Sequence, residues 1–232
     1  MAESDLALIG AWQSPFVLRA RVALNIKNLQ YVFHEETFGN KSELLLKSNP
    51  VHKKIPVLLH SGKSICESLI IVEYIDEVWS SSGHAILPSD PYGRAIARFW
   101  AAYIDEKFFP SLRSIAVVQD EAGKKAAVEQ VITGISLLEK AFGESSKGKP
   151  FFGGDHIGYL DIAFGGMLGW IKVTETIAGL KLIDPETTPQ LAQWAEKFIH
   201  DPAVSGVFPD IGTLTEYSKV VIAKLRGSAG AK

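Results

Sequence analysis

One cysteine, Cys66, stands in a chain of 232 residues, which excludes a disulfide within one copy and any fold stapled by such bonds. That usage fits a reducing compartment. Long apolar runs are missing too. The longest uncharged apolar stretch, Ile162 to Ile171, has ten residues and three glycines, about half of the roughly 20 needed to cross a membrane. The opening residues carry Glu3, Asp5, Arg19 and Arg21 and lack the apolar core of about 7–15 residues that marks a secretory signal. Neither sign of charge dominates: 24 Lys and Arg face 26 Asp and Glu, a net charge of −2, so the chain offers no overall footprint for nucleic acid or an anionic membrane. The six histidines show no H-E-x-x-H and no i,i+4 pairing, and no metal is expected. G-x-G-x-x-G and phosphate-loop patterns are absent as well. A soluble, cytosolic globular protein is the expectation.

What is present is enough for a core, with 47% hydrophobic residues, 22% charged residues and five Trp. Leu6 to Gly10 reads as a buried strand. Ser14-Pro15 opens a helix to about Lys27, with Pro15 in its first turn. Tyr31 to Glu35 reads as a strand, and Ser42 to Lys47 as a brief helix. Pro56 to His60, Ser61-Gly62 and Lys63 to Cys66 form a hairpin, and Ser68 to Trp79 is helical. The order β-α-β-α-β-β-α predicts a mixed sheet with helices on both faces. Turn residues cluster at Ser80 to Gly83 and Pro88 to Pro91. Beyond them the periodicity is helical, with breaks near Gly143–Gly154, Ala178–Pro189 and Asp201–Pro209, and a small polar tail from Gly227 to Lys232 that frays. The predicted organisation is an α/β domain over 1–82, a linker over 83–91 and an all-helical domain over 92–232.

Several residues carry chemistry in this frame. A proline after a β-branched residue, Ile55-Pro56, heads a strand where a cis bond is an option, and the Ile55 main chain there would offer an edge to an extended peptide. Ser68, after Glu67 at a helix start, is either an ordinary N-cap or a carboxylate site. Lys41, Lys53 and Lys54 are either a solvated face or an anion site. Gly154 to Asp161 reads as a capping segment in which Gly158 occupies the cap position and Asp161 supplies the bonds.

Ser14-Pro15-Phe16, Asn49 to Leu58 (NPVHKKIPVL), Cys66-Glu67-Ser68, Tyr74 to Trp79, Leu87 to Tyr92 and Phe151 to Asp155 together resemble the glutathione transferase superfamily, and its plant tau class in particular. The likeness runs in order along nearly the whole chain and weakens after about Asp201. It implies a thioredoxin-like N-terminal domain, an all-α C-terminal domain and a homodimer, with no cofactor beyond glutathione as co-substrate. It also implies that Ser14 stabilises the glutathione thiolate. Ser68 would bind the γ-glutamyl carboxylate, Glu67 its ammonium, Ile55 the cysteine main chain with Pro56 in cis, and Lys41 and Lys54 the glycine carboxylate. Lys53 stays a surface lysine and Cys66 a small hydrophobe, while Tyr31 and Tyr92 are structural. The hydrophobic electrophile site would draw on Phe16, Phe109, Ile115, Trp170 and Tyr217. Gln13 stands where related chains often carry Pro.

The activity this implies is conjugation of the glutathione thiolate to hydrophobic electrophiles, as in detoxification of xenobiotics and herbicides, with peroxide reduction as a side activity. Two rivals are a carrier that binds glutathione or hydrophobic ligands without turnover, and a thiol-transfer oxidoreductase. The serine at position 14 speaks against both. Ion pairs between Glu77 and Arg94 or Arg98 are candidates for the dimer interface.

Overall fold

Strand and helix alternate first. The computed structural model describes residues 5–37 and 39–229, and its first part runs β1 (Leu6–Gly10), α1 (Pro15–Ile26), β2 (Val32–Glu35), α2 (Glu43–Ser48), β3 (Val57–His60), β4 (Lys63–Cys66) and α3 (Ser68–Val78). One sheet results, in the order β2-β1-β3-β4. The β1–β2 pair is parallel and needs the crossover that α1 supplies; the other two pairs are antiparallel. His60 pairs with Lys63 across a two-residue turn, and Ser61 and Gly62 both take the positive φ that such a turn demands. Side chains then alternate between faces. Leu8 and Leu58 pack against Val22, Ile71 and Ile75 of α1 and α3, while Ile9 and Val57 meet Leu45 of α2. Helices therefore cover both faces, as the pattern predicts.

From Pro91 onward every described element of the order is a helix. α4 (Pro91–Tyr103) passes through a π-helical turn (Ile104–Phe108) directly into α5 (Phe109–Val117). Then follow α6 (Glu121–Ser146), α7 (Tyr159–Gly165), α8 (Leu168–Ala178), α9 (Pro189–His200), α10 (Pro202–Ser205) and α11 (Ile211–Ala229). Two expectations shift. α6 continues past Gly143 and stops only where Lys147 turns left-handed. α11 extends into the segment read as a fraying tail, of which residues 230–232 lie outside the described part, as do residues 1–4 with Glu3. No described helix is long and apolar enough to cross a membrane.

Two buried carboxylates organise the joints. Asp76 of α3 meets Lys27 Nζ at 2.8 Å and accepts the N–H groups of Ile86 and Leu87. Lys27, fully buried, also donates to the His84 carbonyl, so the connection between the two halves is pinned under α1. Asp161 in the first turn of α7 accepts four bonds, from the N–H groups of Phe152, Gly153 and Gly158 and from the Trp194 indole. Burial pushes its pKa up to about 6, against the pull of those donors. The sequence assigned this capping to Asp161, because Gly158 has no side chain to do it.

Asp161→Asn exchanges one acceptor oxygen for a donor and leaves up to two buried N–H groups without partners. Each such loss costs about 1–3 kcal/mol. At roughly 2–4 °C per kcal/mol for a chain of this size, melting should fall by about 5–15 °C, and a wild-type melting curve would show that the four bonds do not hold the fold.

Candidate functional site

Where α1 begins, the chain turns sharply. Ser14 N–H donates to the Ala11 carbonyl at 3.0 Å, and the Ser14 side chain then caps α1, its Oγ accepting from Val17 N–H at 3.3 Å. One lone pair is used in this way, while the hydroxyl proton makes no bond among the described residues. The next two residues part company. Phe16 lines a cavity of about 140 Å³ together with Lys54, Ile55, Pro56, Glu67 and Ser68. Pro15 lines a second cavity of about 260 Å³. Between the two, the Phe16 and Phe109 rings meet edge to face at 5.5 Å.

The smaller cavity is polar and gathers residues from three separate segments. Its Ile55–Pro56 bond is cis. Glu67 precedes α3 at φ 71°, a conformation that costs a non-glycine residue about 1–3 kcal/mol and tends to persist at functional sites. Glu67, and not Ser68, is thus the cap residue, and Ser68 is the first residue of the helix proper. Ser68 Oγ accepts from Arg19 Nη1 at 3.2 Å, which leaves its proton for another partner.

Arg19 is the residue that the sequence reading missed. It is fully buried, and all five of its N–H groups are matched: two bonds to the Ala163 carbonyl, two to the Asp105 carboxylate at 2.6 and 2.9 Å, and one to Ser68. Asp105 sits on the π-helical turn. A charge standing inside the apolar run Val17-Leu18-Arg19-Ala20 was the available signal, since a cation on a buried face must be paired.

The larger cavity lies among α5, α8 and α11. Its wall includes Phe109, Leu112, Trp170, Val173, Ile222 and Leu225, and Arg113 is the one charged residue along it among the described residues. Of the expected hydrophobic residues, Phe109 and Trp170 are on this wall. Phe16 faces the polar cavity instead. Ile115 is buried in the main core, and Tyr217 packs edge-on against Trp12 and accepts from Gln13. Lys41 stands exposed ahead of α2, apart from the polar cavity. Cys66 is half-buried, with its thiol pKa raised by burial and by Glu67, which suits an unreactive cysteine.

Comparison with known proteins fits this geometry. The glutathione S-transferase N-terminal domain model matches residues 4–77, and the C-terminal domain model matches residues 116–197. Glutathione S-transferase U17 of Arabidopsis thaliana is 60% identical over 224 residues, covering 97% of this chain and 99% of the relative. The chain belongs to the glutathione S-transferase family. Its class is tau: the crystal structure of a tau class glutathione S-transferase from mango, Mangifera indica, superposes with a TM-score of 0.92 at 61% identity, over 94% of this chain and 99% of that one. A rice glutathione S-transferase solved in complex with glutathione gives a TM-score of 0.85 at 35% identity, over 94% and 98% of the two chains. The protein is thus a tau class transferase with a thioredoxin-like N-terminal part and a helical C-terminal part.

The Arg19 cluster makes a prediction for this transferase. Asp105→Ala removes the counter-ion of a fully buried guanidinium, a change that costs about 3 kcal/mol. Glutathione affinity should also fall several-fold, because Arg19, no longer held by Asp105, ceases to fix the Ser68 hydroxyl in one orientation. Chemical denaturation and glutathione titration test the two parts, and unchanged values in both would leave the cluster without a role.

Proposed function

We propose that this transferase binds glutathione in the polar cavity and that the Ser14 hydroxyl holds its sulfur as the thiolate, which then attacks hydrophobic electrophiles seated in the apolar cavity. The observation that carries this reading is the half-used hydroxyl of Ser14, which immediately precedes Pro15 and Phe16, the residues of α1 that line one cavity each. A free thiol has a pKa near 8.5. Lowering it by about two units takes roughly 2.7 kcal/mol of preference for the anion. A charge-assisted hydroxyl bond of about 1.5–3 kcal/mol and the helix end, worth about 0.3–1, together suffice.

The remaining assignments follow the chemistry of the tripeptide. Its γ-glutamyl carboxylate meets the Ser68 hydroxyl and the first N–H groups of α3, and Glu67 pairs with the ammonium. The Ile55 main chain takes the central cysteine as an added strand beside Pro56. Lys54 meets the glycine carboxylate, with Lys41 joining from the loop before α2. Electrophiles contact Phe109 and Trp170 directly. Phe16 forms the partition, and Ile115 and Tyr217 support the site from behind. We read 1–82 and 92–232 as the two units, with 83–91 as their linker, and place the protein in the cytosol. Peroxide reduction fits the same thiolate. A passive carrier of glutathione or hydrophobic ligands would use the apolar cavity as well, but it has no need of a thiolate donor.

Ser14→Ala tests the mechanism. Glutathione should still bind, while its thiol pKa climbs towards the free value. Conjugation at neutral pH should drop about ten- to a thousand-fold, matching a loss of about 1.4–4 kcal/mol. The absorbance of the bound thiolate against pH reads this directly, and superimposable curves for the two proteins would remove Ser14 from the chemistry.

A homodimer is part of the same reading. Ile70 and Val78 on α3, with Tyr92 and Phe99 on α4, stand exposed and apolar. The ion pairs are less available than the sequence suggests. Arg98 binds Glu73 within the chain, and Arg94 binds the carbonyls of Pro88 and Ser89. Light scattering at micromolar concentration should give about twice the mass of one chain, and a monomer would refute the assembly.

A further inference from the structure

The two residues before Ser14 are held from the opposite half of the molecule. Ala11 to Ser14 form a tight turn closed by the Ser14 N–H. Gln13, at its centre, accepts from the Trp170 indole N–H of α8 through its main-chain carbonyl, at 2.9 Å. Its side-chain amide donates to the Tyr217 hydroxyl of α11, also at 2.9 Å. Trp12 meets the Tyr217 ring edge to face at 5.6 Å. Just behind, the junction of α7 and α8 lies so close to α1 that a side chain on Gly166 would come within 2.7 Å of the Pro15 carbonyl. The Gln13 carbonyl, the Gln13 amide and the Trp12 ring thus all join the turn to the helical half. A residue without a side-chain amide at position 13 could not make this bond to Tyr217.

We propose that Gln13 and Tyr217 are positioning residues for the reaction, with the amide–hydroxyl bond between them fixing the turn that aims the Ser14 hydroxyl at the glutathione sulfur. This rests on the reading of Ser14 as the thiolate donor and deepens it by linking α11 to thiol activation. A hydroxyl bonded to an anion loses strength steeply once its angle opens. A turn free to shift by a few tenths of an ångström would therefore raise the thiol pKa without weakening the grip of Glu67 and Ser68 on the rest of glutathione. Tyr217 then acts on the sulfur through the turn and not as a surface for the electrophile.

Gln13→Ala and Tyr217→Phe each delete the bond; the second keeps the ring against Trp12. Four proteins are compared, wild type, Gln13→Ala, Ser14→Ala and the double variant, with Tyr217→Phe as a fifth. Bound-thiolate absorbance, kcat and both KM values are measured from pH 5.5 to 9. In Gln13→Ala and Tyr217→Phe the thiol pKa should rise by about 0.3 to 1 pH units, as for loss of a neutral hydrogen bond. Conjugation at pH 6.5 should fall about two- to ten-fold and recover at alkaline pH, where the thiolate forms unaided. The KM for glutathione should hold. On the Ser14→Ala background, Gln13→Ala should add nothing.

Wild-type pH profiles in Gln13→Ala, with a change confined to the electrophile KM, would overturn the proposal in favour of a wall role. Additive effects in the double variant would overturn it as well, since the turn would then act by a route other than Ser14. If Ser14→Ala itself keeps the wild-type profile, the reading beneath the proposal fails and the proposal with it. A shift in Ser14→Ala without one in Gln13→Ala removes only the positioning role.

Discussion

A buried positive charge sets the terms for the rest of the structure. Stripping a guanidinium of water costs several kcal/mol even after the protein relaxes, and Arg19 is wholly stripped. The cost is tolerable only because each of its five N–H groups has an acceptor in the right place. Those acceptors come from three elements: the carbonyl of Ala163 on α7, the carboxylate of Asp105 on the π-helical turn and the hydroxyl of Ser68 on α3. A shift of any of them strands a charge in the core. The register of the helical half against the sheet half is thus a condition of keeping Arg19 satisfied, and the hydroxyl at the head of α3 is oriented as part of the same arrangement.

Placing the two cavities side by side also follows from α1. Its first two residues diverge, Pro15 towards the apolar cavity and Phe16 towards the polar one. The capping serine stands directly before the residue at which they part. The walls differ in origin. Strand ends and the head of α3 bring main-chain groups and charges to the polar cavity, whereas the apolar one is built mainly from side chains of α5, α8 and α11, with Pro15 of α1. A tripeptide with two charged ends suits the first, and an apolar reactant suits the second.

Much of this was legible in the residues. Helix starts announce themselves at Ser14, Ser42 and Asp90, each of which accepts an N–H from its own first turn; the break before α6, capped in the same way by Asp120, was not read. A short apolar run gave β1, and the Ser61-Gly62 turn gave the hairpin. Ile55, Pro56, Glu67 and Ser68, distant along the chain, come together at one cavity. What escaped was long-range geometry. Nothing local distinguishes Leu112, Val173 or Leu225, which line the apolar cavity, from Ile115, which is buried beside it, since all sit on amphipathic helices and differ only in which way the helix is rotated. Tyr217 shows a related limit: the family resemblance implied a wall position, while its hydroxyl is engaged with Gln13. Arg19 was hidden for another reason, as its partners lie 49, 86 and 144 residues away.

The π-helical turn between α4 and α5 bears on how this chain can change length. Such a turn is an α-helix carrying one extra residue. The wide turn falls just before Pro110, whose missing N–H would interrupt an α-helical ladder in any case. A one-residue deletion within Ile104–Phe108 would be absorbed by closing the wide turn, with Phe109 and Leu112 keeping their facing towards the cavity. The same deletion inside α6 would turn everything after it by about 100°. The irregularity is therefore one residue of slack, placed where the helix borders the site.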